Sequence, residues 1–200
     1  MAEIHNSAVR RPRETVSTVA VHTMTYEEKL IRRVRDSEAW PGFERPEFLE
    51  ELDEVANTAF AKDTIEGSLA SMLIYHQLSE EMLRLLVRDS QFFIQLAVFP
   101  SEIVFPERRR MTYGQVIDDL QGTISFPGKN ELLDKANELN GIRIDLVHRL
   151  TAQTTLAEIK DRVVVAKALH HEMFELFDKA HDHFRVCFKD FRKDVFIDYP

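Results

Sequence analysis

An arginine and a histidine on one predicted helix have the chemistry and the spacing to act together on a phosphate group. Four residues separate Arg143 from His148. Five helical steps advance about 140° beyond a full turn and ~7.5 Å along the axis, so the two side chains should flank one groove without touching directly. Their charged ends can still converge on one phosphate. Asp145, three residues before His148, can orient the imidazole, although its charge also repels phosphate.

The residues from Leu139 to His148 resemble the signature of the HEPN superfamily. In that family an Arg is followed after four to six residues by a His on a late helix of a bundle, and here the spacer between Arg143 and His148 is four residues. Family members usually have a polar residue directly after the Arg, whereas here Ile144 takes that position and Asp145 follows it. The spacing thus fits the signature, and the polar residue is shifted by one.

The order of the predicted elements is also similar to that of the HEPN superfamily. An early helix carries Gln77, Glu80 and Glu81, a connecting region follows, and the motif helix comes next. The resemblance covers about residues 64–190. It implies an RNA-binding protein or a metal-independent endoribonuclease in a stress, toxin or defence setting, and a homodimer in which two motif helices meet.

The same resemblance implies a role for each residue of the motif. His148 would transfer a proton at the 2′-hydroxyl or at the leaving oxygen. Arg143 would stabilise the charge that builds on the phosphoryl group. We therefore take Arg143, Asp145 and His148 as candidate catalytic residues, and we expect neither a cofactor nor a metal ion.

Two other functions fit the same sequence. The chain could be a non-catalytic, oligomeric interaction or regulatory bundle in which the Arg/His pair is incidental. It could also be a metal-carboxylate bundle, because di-iron bundles combine acid-x-x-His pairs with carboxylates from other helices. The pairs would be Asp145 with His148 and Asp178 with His181, and the further carboxylates Glu66, Glu80 or Glu81.

Composition narrows the class of protein. The chain has 200 residues, of which 44% are hydrophobic, and a net charge of −8, so any contact with nucleic acid must come from a local basic patch. The single cysteine, Cys187, excludes a disulfide within the chain.

The densest apolar run, Phe92 to Phe99, is far shorter than the ~20 residues needed to cross a bilayer. The first residues lack the apolar run of a secretory signal, and we expect a cytoplasmic protein.

Sparse glycine and proline residues divide the chain into predicted helices. Capping boxes begin helices at Thr25 and Thr155, Pro46 suits the first turn of another, and Asp63 or Thr64 can cap the next. A helix over about 130–150 carries the motif, and its Gly141 is expected to allow close packing. Behind Pro46 the apolar residues repeat at three- and four-residue steps, which predicts an amphipathic helix. They are Phe48, Leu49, Leu52, Val55, Ala56, Ala59 and Phe60.

These elements predict an all-α, up-and-down bundle of five to seven helices in a single domain over 25–200, preceded by a flexible arm over 1–24. The stretch from Leu156 to about Val195 contains neither Gly nor Pro, so it is one very long helix or two joined by a kink. This C-terminal helix is expected to pack against the helices near 64–90 and 130–150. The run Arg108-Arg109-Arg110 predicts a basic contact loop.

Overall fold

The computed structural model describes residues 24–106 and 111–194, which form six α-helices and two short 3-10 turns without any strand. The predicted all-α bundle with a long C-terminal helix is confirmed. The predicted basic loop at 108–110 and the arm, apart from Met24, lie outside the described residues. The helices are α1 (Tyr26–Arg35), α2 (Pro46–Ala61), α3 (Ile65–Ala97), α4 (Tyr113–Gln121), α5 (Lys129–His148) and α6 (Leu156–Asp194), and the 3-10 turns are Ser37–Ala39 and Leu150–Ala152.

Local capping explains where several helices begin. The Thr25 hydroxyl accepts from the Glu28 amide, and the Glu28 carboxylate accepts from the Thr25 amide, so the predicted capping box is present. Thr64, rather than Asp63, caps α3. Each bond satisfies an amide that the first turn would otherwise leave unpaired.

The two longest helices, α3 and α6, form the centre of the bundle. As predicted, α6 packs against α3 and α5, and it is one helix of 39 residues rather than two. Its buried side chains recur at steps of three and four, which is the pattern of a helix with one face in the core. They are Ile159, Val163, Ala166, Leu169, His170, Met173, Phe177, Ala180, Phe184 and Phe188.

The amphipathic helix predicted behind Pro46 is present as α2, but its apolar residues are only partly covered. Ala56 is the one buried residue of its 16, whereas Phe48 is 44% and Val55 is 53% exposed. The close packing predicted at Gly141 is wrong. Gly141 is exposed, and a Cβ built there would have no atom within 4 Å. A close approach occurs instead at Gly67, where a Cβ would lie 2.2 Å from the Ala59 carbonyl oxygen, so the backbone of α2 leaves no room for a side chain at that point of α3.

The loop between α1 and α2, residues 36–45, is held by arginines from three helices. Arg33 of α1 donates to the Ala39 carbonyl at 3.0 Å, and Arg88 of α3 donates to the Gly42 carbonyl at 3.2 Å. Arg185 of α6 donates to the Pro41 carbonyl between them. The loop is thereby fixed to the bundle through its backbone.

Within the described ranges, no helix combines the length and the apolar content that a bilayer crossing needs.

Candidate functional site

The last two turns of α5 carry the predicted motif at the surface of the bundle. Leu139 and Leu146 of α5 are buried, and Arg143 falls between them at four- and three-residue steps, so its stem lies at the edge of the core. The Arg143 side chain is therefore only half-buried. His148, the last residue of α5, is exposed.

The structure brings the two predicted site residues into direct contact. Nη1 of Arg143 lies 3.2 Å from Nε2 of His148. The expectation that they would flank a groove without touching is wrong, because the long arginine side chain spans the angle between the two positions. A guanidinium has only donors, so Arg143 donates and Nε2 of His148 accepts with its lone pair. This arrangement leaves the imidazole proton on Nδ1.

Asp145 does not take the position expected of it beside His148. Its carboxylate binds Arg162 of α6 at 2.9 Å and Arg149 at 3.4 Å. The carboxylate turns toward α6 because a guanidinium offers it charge and directional donors there. Asp145 thus joins α5 to α6, and the predicted bond that would orient the imidazole is not made.

The surroundings of the pair leave the charge of Arg143 available. Among the described residues, no carboxylate forms an ion pair with Arg143. Beside the pair, Ile144, Val147 and Leu150 recur at three-residue steps and are 37%, 41% and 38% exposed. The site therefore combines one unneutralised guanidinium, one accessible imidazole and a strip of exposed apolar side chains.

Sequence reasoning missed a buried histidine behind Arg143. His76 of α3 is 4% exposed, and its ring lies 4.2 Å from that of Tyr113. Among the described residues, its Nε2 has no hydrogen-bond partner. Burial lowers the pKa of His76, the charge of Arg143 lowers it further, and Glu80 and Asn140 oppose them. The one signal in the sequence is a histidine among the apolar residues of the helix predicted near 64–90.

A Ser/His/Asp arrangement also occurs where the sequence gave no sign of one. Nδ1 of His170 lies 2.9 Å from the Ser79 hydroxyl, and Nε2 lies 3.5 Å from the Asp53 carboxylate. Both Ser79 and His170 are buried, Ser79 completely. No substrate can reach that hydroxyl, so these groups satisfy one another inside the bundle.

The metal-carboxylate arrangement is not formed. His181 pairs with Asp89 at 2.7 Å rather than with Asp178. Asp145 binds Arg162, which precedes His181 by 19 positions on α6 and so lies about 28 Å from it along the helix axis. The two Asp-x-x-His pairs therefore lie far apart. Across the described residues, no three His, Cys, Asp or Glu side chains are placed to hold a metal ion.

Comparison with known proteins leaves the family open. No protein-family model matches the chain, and no curated protein or solved structure gives a significant match. The HEPN resemblance therefore remains a prediction that depends on the motif residues themselves.

Proposed function

We propose that the chain binds RNA at the Arg143–His148 pair and cleaves it without a metal ion, as a HEPN-like homodimer. The observation that supports this most is the 3.2 Å contact between the guanidinium and Nε2 of an exposed imidazole. A cation and a proton acceptor are thereby adjacent and open to solvent. An RNA phosphodiester with its neighbouring 2′-hydroxyl needs both.

Phosphate binding would use the guanidinium first. A phosphate oxygen is a stronger acceptor for a guanidinium than a neutral imidazole nitrogen is, because the hydrogen bond is assisted by charge on both sides. Arg143 would transfer its donor from His148 to the phosphate. That exchange frees the lone pair on Nε2 of His148 beside the bound backbone.

Cleavage would then proceed by attack within the RNA itself. Nε2 of His148 accepts the proton of the 2′-hydroxyl, and the 2′-oxygen forms a bond to phosphorus as the bond from phosphorus to the 5′-oxygen breaks. The leaving oxygen takes a proton from the imidazolium of a second copy. Arg143 stabilises the charge on the non-bridging oxygens. The products are a 2′,3′-cyclic phosphate and a 5′-hydroxyl end.

A second copy would also account for the apolar strip beside the pair. Ile144, Val147 and Leu150 are each more than one-third exposed on the surface that carries His148. Covering them would remove apolar area from water and would exclude water from the phosphate. Homodimer formation at this surface is therefore part of the proposal.

The test is cleavage and binding of a labelled single-stranded RNA by the purified chain in excess EDTA. His148→Ala should lower the cleavage rate by about 10²-fold or more and leave binding within a few-fold. Arg143→Ala should lower both, because it removes the phosphate contact. Identification of cyclic phosphate ends would support the chemistry.

Arg149→Ala is the matched control for this test. Arg149 adjoins His148, its side chain is 70% exposed, and it binds Asp145 instead of the histidine. Its loss should leave cleavage nearly unchanged. Equal losses in the Arg149 and Arg143 variants, or cleavage that EDTA abolishes, would contradict the proposal.

A further inference from the structure

The second helix of the bundle, α2, carries two polar side chains on the face that packs against the bundle, among apolar ones such as Ala56 and Phe60. Asp53 and Asn57 face inward, where Asp53 lies 3.5 Å from His170 and Asn57 accepts a hydrogen bond from the Tyr75 hydroxyl at 3.0 Å. His170 and Tyr75 are both buried. Polar groups thus attach this face of α2 to α3 and α6.

The outward face of α2 carries two large apolar side chains. Phe48 and Val55 are seven residues apart, which places them about 20° apart around the helix axis and two turns apart along it. They lie roughly opposite Asp53 and Asn57 on the helix. Phe48 is 44% exposed and Val55 is 53% exposed. An apolar pair at this spacing is the contact pattern of a helix that binds another helix.

This face is also strongly acidic. Between Pro46 and Ala61 the helix contains no Lys or Arg. Around the helix, Glu51, Glu47 and Glu54 all lie on one side of the pair, about 40°, 80° and 100° from Val55. The guanidinium of Arg45, the residue before the helix, lies 5.2 Å from the centre of the Phe48 ring. All three glutamates are exposed. The apolar pair therefore has a row of negative charge along one side, nearest to Val55.

We propose that this outer face of α2 binds a basic amphipathic helix of another protein. Apolar side chains of the partner would cover Phe48 and Val55, and its Lys or Arg residues would pair with Glu47, Glu51 and Glu54. A second copy of the chain is disfavoured there, since a two-fold contact would bring two acidic helices together. RNA is repelled by the same charges.

The contacts of α2 with the bundle hold this face in place before any partner arrives. Gly67 permits the close approach of α3, and Lys167 lies 4.5 Å from the centre of the Phe60 ring. In the turn directly after α2, Asp63 binds Lys160 at 2.8 Å. These contacts do not involve Phe48 or Val55. The apolar pair can therefore be substituted without removing what attaches the helix.

The test measures binding of the full chain to a fluorescent, designed Leu/Lys amphipathic helix about 18 residues long, by anisotropy. We expect saturable, one-to-one binding that about 0.5 M salt weakens but does not abolish, because apolar contacts survive screening. A peptide of the same pattern with Glu in place of Lys should not bind. Replacing Glu47, Glu51 and Glu54 together by Gln should weaken binding of the Leu/Lys peptide.

Two double variants locate the site. Phe48→Ser with Val55→Ser should weaken binding roughly tenfold or more. The matched control is Val164→Ser with Val186→Ser, which changes two α6 side chains that are 53% and 55% exposed and should leave binding unchanged. Circular dichroism establishes that both variants keep their helix content.

Three results would overturn this inference. They are absence of binding, equal loss in the two double variants, and self-association of the wild-type chain that only the α2 double variant abolishes. The last would assign the face to a second copy. None of these results depends on whether the chain cleaves RNA, so this inference and the proposed function can fail separately.

Discussion

Two contacts between an arginine and a histidine have the same length in this protein but lie in different surroundings. Arg143 is 3.2 Å from Nε2 of His148, and Arg185 is 3.2 Å from Nε2 of His181. Behind His181, Nδ1 lies 2.7 Å from the carboxylate of Asp89, which is completely buried. In the part of the chain that the structure describes, no carboxylate binds His148 in this way, because Asp145 binds two arginines instead.

The comparison shows that the surroundings of an arginine–histidine contact determine whether the contact is structural or open to a ligand. Nδ1 of His181 donates to Asp89, so the tautomer is fixed, and Arg185 is further held by the Pro41 carbonyl and the Trp40 ring, which lies 5.6 Å away. Burial raises the pKa of Asp89, and the bond to His181 opposes that rise. This contact holds a loop and two helices together, whereas the exposed one can exchange its partners for a ligand.

The largest expected effect is on the stability of the buried contact. His181→Ala leaves the Asp89 carboxylate buried without its partner, which should lower the free energy of unfolding by about 3–5 kcal/mol. His148→Ala, at an exposed site, should change it by no more than about 0.5 kcal/mol. Urea unfolding followed by circular dichroism measures both. Similar losses in the two variants would remove the distinction between the contacts.

Substitution of the two arginines should also destabilise the protein more at the buried contact, that of Arg185, than at the exposed contact, that of Arg143, but by less than the histidine substitutions do. Arg185→Lys keeps the charge and loses the fork that reaches both His181 and the Pro41 carbonyl, so we expect a loss of about 1–2 kcal/mol. Arg143→Lys should be nearly neutral for stability. The measurement is again urea unfolding at constant pH. A neutral Arg185→Lys variant would show that the loop does not depend on this bond.

A third prediction concerns pH and the histidine behind Arg143. Because burial lowers the pKa of His76 below its ordinary value of 6.5, the unfolded chain takes up a proton before the folded chain does. The contribution of His76 to the free energy of unfolding is therefore complete above pH 6.5. It is lost as the pH falls from 6.5 to the lower pKa of the folded state, by at most about 1.4 kcal/mol per pH unit.

The check is the free energy of unfolding between pH 7.5 and 5.5, for wild type and His76→Gln. His170, whose pKa burial also lowers, contributes in the same direction in both proteins. The variant should therefore show a shallower decline rather than none. Parallel curves would mean that His76 titrates in the folded state as it does in the unfolded chain.

The smallest expected effect is that of Asp145→Asn, which tests whether Asp145 acts on His148. Asp145→Asn removes a partly exposed ion pair with Arg162 and should cost about 0.2–1 kcal/mol. Under the proposed function its cleavage rate should change by less than about threefold, since Asp145 does not touch the imidazole. Thermal unfolding and the RNA assay provide the two readouts. A rate loss comparable to that of His148→Ala would assign Asp145 a direct role.

Local signals allowed much of the fold to be predicted from the sequence. Helix starts at Thr25 and Pro46 depend on residues within one turn, and the Gly- and Pro-free stretch after Leu156 allows a continuous helix. Such signals do not depend on what the helix packs against. The order of the helices was predictable for this reason, and their number was predictable as a range of five to seven.

Contacts between distant residues were not predictable in the same way. Asp89 and His181 are 92 residues apart, and Asp145 meets Arg162 across a helix boundary. The inward turn of Asp53 on α2 likewise depends on His170 of α6. The spacing of Arg143 and His148 did predict a shared surface, since both belong to one helix, but their direct contact depends on side-chain reach.

The length of α6 has a consequence for how the molecule comes apart. At 39 residues the helix is about 58 Å long, and α1, α3 and α5 all pack on it. Several helices therefore share α6 as their packing partner. Fraying of α6 at either end would remove packing contacts from more than one of them at once. We expect the bundle to melt as a unit, with no half that survives alone.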